Sequence, residues 1–159
     1  MRRWMQALSR LLVVFAMAAC GGAPKVDWTL TITGAVDEPL SLSYQDLAAE
    51  PQAALNELLM QRTHGEDSVD DWSGVLLDAL LERAGAADGW VSITALAADG
   101  YAIEISRAEL EGAIVALQEQ GDWIAKADPD HGPIRLVCPL TPADRWVFQL
   151  NELQVNTPQ

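Results

Sequence analysis

Asp99-Gly100 stands between two segments in which apolar and polar residues alternate, Trp90–Ala97 and Tyr101–Ser106. Asp-Gly suits a tight turn between paired strands, so this stretch is committed to an antiparallel hairpin, and the rest of the chain must pack around it. Trp28–Thr33 alternates large apolar with small polar residues and predicts a half-buried strand ending at Gly34; Leu40-Ser41-Leu42 predicts a second. Ser43, with Asp46 three residues on, predicts a capped helical turn, and Ser106-Arg107-Ala108-Glu109 another. Leu76, Leu77, Leu80, Leu81 and Ala84 recur at helical spacing before Gly85, a residue suited to ending a helix.

The spacing leaves Leu55–Thr63 open between helix and strand, and the polar run His64–Asp71 predicts a loop. Ala113–Gln118 predicts a strand, Gln120-Gly121 a turn, and Ala127–Pro133 an acidic loop carrying His131. Ile134–Cys138 predicts a short buried strand stopped by Pro139, and Trp146–Val155 completes the domain. Strand and helix signals are intermixed and nothing repeats, which predicts one compact α+β domain with a mixed β-sheet and short helices.

A chain of 159 residues suits a single domain, and a hydrophobic fraction of 50% excludes a largely disordered one. The charge of −13 at pH 7 argues against nucleic acid, because phosphate binding needs clustered cations. Residues 1–19 read as a signal peptide: Arg2, Arg3 and Arg10 make a basic start, Leu11–Ala19 an apolar run too short to span a bilayer, and Ala18-Ala19 a small-residue cleavage site. Arg2-Arg3 also fits a twin-arginine signal, although the strongly apolar run points to the general secretory route. Ala16-Met17-Ala18-Ala19-Cys20 resembles the lipobox of bacterial lipoproteins, which implies lipidation of Cys20, with residues 20–27 as a tether and residues 28–159 as the domain. Gly21, in place of the Asp that favours inner-membrane retention, implies a periplasm-facing outer-membrane location. Cleavage would leave 7 basic against 23 acidic residues, a charge of −16, which keeps the folded part away from anionic head groups; the membrane is then met through the lipid alone.

Taken in order, several blocks resemble the molybdopterin-binding oxidoreductase domain, the sulfite-oxidase-type fold. These are Trp28–Gly34 with Leu40–Tyr44, Asp46-Leu47, Trp72-Ser73-Gly74-Val75 with Leu80–Gly85, Asp99-Gly100-Tyr101, and His131-Gly132-Pro133-Ile134-Arg135-Leu136-Val137-Cys138-Pro139 followed by Arg145-Trp146-Val147. The resemblance implies that fold, and a molybdopterin cofactor in active members. In those members a cysteine thiolate before the Trp-x-Gly-Val block binds molybdenum; the corresponding segment here, Leu58–Gly65, has no cysteine. Neither Met60 nor His64 is an equivalent soft donor. The chain is also shorter than catalytic members, and is similar to the short secreted relatives that lack this cysteine.

His131 and Arg135 fall where the resemblance implies basic residues toward the pterin phosphate, and a guanidinium fork suits a phosphate. Arg62 and His64, beside the missing ligand position, extend the candidate into one anion or pterin site. The competing roles are ion pairing of Arg135 with one of the many carboxylates and plain loop positions for the other three. Cys138, mid-strand between Val137 and Pro139, reads as an inert core thiol, and the tryptophans, Trp72 included, as packing residues. Two distant histidines without a clear third ligand make a weak zinc hypothesis, and Glu66-Asp67 and Asp70-Asp71 lack the glycine and spacing of a calcium loop, so no metal ligand set is expected.

The reading is therefore a lipid-anchored envelope protein whose molybdopterin-oxidoreductase-like domain works without molybdenum, binding a small anion or an envelope protein partner. One alternative is a molybdopterin-dependent oxidoreductase acting on a small oxoanion or sulfoxide. The other is a purely structural lipoprotein.

Overall fold

The computed structural model describes residues 22–158; the expected signal peptide over residues 1–19 and the expected lipidation site Cys20 lie outside the described residues. Among the described residues, ten strands form two five-stranded sheets. The first takes β1 (Thr29–Gly34), β2 (Leu40–Ser43), β5 (Ser92–Ala97), β6 (Ala102–Ser106) and β10 (Leu150–Asn156), in the order β2-β1-β10-β5-β6. The second takes β3 (Ala53–Met60), β4 (Ser68–Leu76), β7 (Ile114–Glu119) and β8 (Asp122–Trp123), with β9 (Arg135–Val137) also paired to β7. Among the described residues only β1 and β10 pair in parallel, so the first sheet is mixed and the second antiparallel.

The β5–β6 hairpin closes over Asp99-Gly100 as its sequence requires, with Ala97 N–H donating to Tyr101 O at 2.8 Å. Ser43 caps α1 (Tyr44–Ala49) in a reciprocal box: Asp46 N–H donates to Ser43 Oγ at 3.1 Å, and Ser43 N–H to Asp46 Oδ2 at 2.8 Å. The Ser43 hydroxyl, donating to Asp46 Oδ2 at 2.7 Å, and the Ser43 N–H hold the Asp46 carboxyl below the usual range. Ser106 and Glu109 make a similar contact, Ser106 N–H donating to Glu109 Oε2 at 2.9 Å, but the segment stays a run of turns.

α2 (Leu77–Ala84) buries Leu77, Leu80, Leu81 and Ala84, and Gly85 ends it in the left-handed conformation at φ 65°. Leu76, assigned to that helix face by its spacing, is instead the last residue of β4, paired with Ile114 and 42% exposed. Pairing to β7 holds its backbone extended up to the turn that starts the helix. An Leu80→Ala variant should lose roughly 2–5 kcal/mol of stability in denaturant unfolding, because the helix cannot collapse into the gap without leaving its sheet.

The open segment Leu55–Thr63 is a strand as far as Met60, with a bulge between Leu55 and Leu58 where Glu57 takes φ 51°. The loop expected over His64–Asp71 is shorter: Ser68–Asp71 belong to β4, paired through Met60↔Ser68, Leu59↔Val69 and Leu58↔Asp70. Polar side chains alone signal a loop there, but backbone pairing to β3 needs no apolar side chains at a sheet rim. Gly74 lets β4 and β7 approach, since a Cβ there would lie 2.0 Å from Val115 O. One continuous hydrophobic core draws on both sheets and α2, with Trp72, Leu30, Ile32, Ile93 and Leu117 fully buried in it.

Candidate functional site

The β3–β4 connection carries Arg62 and His64; the segment between α3 (Ile124–Ala127) and β9 carries Asp128 and His131. Together with Arg135 on β9, they line one cleft of about 470 Å³. All four residues singled out in the sequence therefore meet, although they lie on three separate segments. Met60, Ala143 and Phe148 supply its apolar surface, and Ala143 is fastened to the β3 end by its N–H donating to Gln61 O at 2.8 Å.

The charges are arranged differently from the expectation. Arg135 is only 4% exposed. Its Nη1 donates to Glu119 Oε2 at 2.9 Å and its Nη2 to Asp128 Oδ2 at 2.5 Å. The guanidinium carbon lies 4.7 Å from the Phe148 ring centroid and 5.5 Å from that of Trp72. Arg135 Nε is buried without a partner. The other oxygen of Asp128 meets His131 Nδ1 at 3.0 Å. The pairing role is thus the one Arg135 occupies, and His131 reaches the cleft through the same carboxylate. Removing Arg135 cannot leave the fold untouched, as it would if the side chain merely faced a ligand.

Burial pushes the Glu119 carboxyl above its usual range against the pull of Arg135. Asp128, although partly desolvated, is held below its usual range by its bond to His131 and by Arg135.

Arg62 is held by its own loop. Its N–H donates to Asp67 Oδ1 at 2.8 Å, its Nη1 to Glu66 O at 3.3 Å, and its Nη2 approaches Met60 Sδ at 3.3 Å. It makes no ion pair with a carboxylate among the described residues. Counting all lining side chains, two arginines face three carboxylates, those of Glu119, Asp128 and Asp144.

Cys138 is fully buried in the core, and burial pushes its thiol up to about 12. Trp72 is likewise packed, 1% exposed, its ring edge-on to Trp146 at 5.6 Å; neither residue lines the cleft. Among the described residues no group of three His, Cys, Asp or Glu side chains could hold a metal ion. Glu119 and Asp128 escaped the sequence reading. Glu119 ends an apolar strand and Asp128 is one of several acids in its loop, so neither stands out until the fold sets them beside Arg135. A larger groove, about 830 Å³, runs between α2 and the turns after β6, where Arg107 lies over Trp90 at 4.7 Å; it takes in none of these residues.

The family described as "Oxidoreductase molybdopterin binding domain" matches residues 20–159. The chain belongs to that family. Among solved structures, the sulfane dehydrogenase SoxCD from Paracoccus pantotrophus is similar, with a TM-score of 0.71 and 22% identity over 86% of this chain. The chain spans 41% of that protein's length, and the likeness carries the fold alone. No curated protein sequence matches. The molybdopterin-binding fold implied by the sequence blocks is therefore the fold this chain has, including the α+β architecture of the first sheet, the second sheet and the helix between β4 and β5.

Proposed function

We propose that this protein is a lipid-anchored bacterial envelope protein whose molybdopterin-type domain works without molybdenum, as a module that binds a small ligand in the Met60–Phe148 cleft. The observation that carries this reading is the donor set. A molybdenum centre of this family takes a soft thiolate, and the sole cysteine among the described residues is packed in the core away from the cleft. A pterin phosphate needs free cations, whereas the Arg135 fork is occupied by Glu119 and Asp128. These residues do not fit the cofactor, but they leave an apolar-floored cleft of ligand size.

A small anion, the ligand suggested in the sequence by Arg62, His64, His131 and Arg135, would find only Arg62 and His64 outside carboxylate pairing. Seating an apolar body on Met60, Ala143 and Phe148 is the stronger source of binding here. The deciding experiment is metal analysis and an absorption spectrum of the mature protein purified from its native envelope. We expect no molybdenum and no pterin absorption; stoichiometric molybdenum would instead make the protein a cofactor-holding oxidoreductase.

The anchor rests on the lipobox-like run before Cys20 and the Gly21-Gly22 tether. A Cys20→Ser variant should move from the membrane fraction to the soluble periplasmic fraction. Retention in the membrane at wild-type level would place the anchor elsewhere.

A further inference from the structure

We infer that Glu119 and Asp128 are specificity-determining residues that make the cleft reject anions, by standing where an anionic ligand would meet Arg135. The inference rests on the ligand-binding reading of the cleft and adds the charge class of the ligand: a small, partly apolar molecule without net negative charge.

A guanidinium binds an oxoanion through the same parallel N–H groups that it offers to a carboxylate. Here Nη1 and Nη2 of Arg135 each already hold one, from β7 and from the segment before β9. With Arg62 and Asp144 also lining the cleft, two guanidinium charges face three carboxylates, so an incoming phosphate or sulfate meets net repulsion rather than attraction. Neither carboxylate is a swinging surface group. Glu119 ends a strand paired to β4, and both oxygens of Asp128 are engaged, one by Arg135 and the other by His131. Arg135 cannot turn away to find an anion elsewhere, since it lies between the Phe148 and Trp72 rings at 4% exposure. Phe148 and Met60 beside it offer surface to an apolar group, which pays no such electrostatic penalty.

The test is a phosphate titration at constant ionic strength, followed by thermal unfolding of wild type and of Glu119→Gln/Asp128→Asn. Inorganic phosphate should leave the wild-type melting temperature unchanged. The double variant should gain a salt-sensitive rise, with phosphate affinity higher by at least about tenfold. Adding Arg135→Met to the double variant should abolish the gain, which assigns it to the guanidinium. Asp128→Asn alone, at the more exposed of the two positions, should show the same gain on a smaller scale and provides the test if the double variant does not fold. A wild-type response equal to that of the variants would overturn the inference, as would no gain in the folded variants or a gain that survives Arg135→Met. None of these outcomes depends on the natural ligand or on molybdenum content, so failure here is distinct from failure of the ligand-binding reading.

Discussion

An Arg135→Ala variant should lose about 3–5 kcal/mol of folding stability, read as a lower midpoint in urea unfolding at neutral pH. The loss has two sources. Glu119 and Asp128 would remain close together with no cation between them, and Glu119 is already disfavoured as an anion by burial. The planar group filling the space between Phe148 and Trp72 would also be gone. An Arg135→Met variant combined with Glu119→Gln and Asp128→Asn should recover much of the loss, because no buried charge is then left unpaired. If Arg135→Ala unfolds within 0.5 kcal/mol of wild type, the guanidinium does not bridge the two carboxylates in solution.

The second large effect is expected at Trp72. It is the largest of the fully buried side chains, it stands edge-on to Trp146, and it forms one wall of the Arg135 niche. Trp72→Ala should cost about 3–5 kcal/mol, since both sheet pairings of β4 prevent the strand from moving into the void. Trp72→Phe should cost less, and part of its cost is offset because the indole N–H now lies buried without a partner. Equal stability of the alanine and phenylalanine variants would show that neither the void nor the ring contact carries the cost, and would overturn the packing role given to Trp72.

Local sequence determined much of the fold. The hairpin at Asp99-Gly100, the Ser43–Asp46 capping box and the stop at Gly85 depend on residues within a few positions of one another, so their chemistry can be read without knowing what packs against them. The family blocks were legible for a different reason. Gly74 keeps β4 against β7, and Trp72 fills the core behind it, which gives a short stretch of sequence a strict packing role.

Tertiary structure decided the rest. Leu55–Met60 has leucines that suit either period, and only pairing with β4 makes it a strand. Leu76 has the spacing of a buried helix face but is held extended by β7. At the cleft, the four basic residues could be named from the chain, yet the sign of their surroundings could not. Glu119 is 16 residues from Arg135 and Asp128 is 7, and in a chain with 23 acids nothing local marks these two as its partners. Ion pairing depends on distance in space and on loss of water, and both are set by the β7–β9 pairing that buries Arg135 between them.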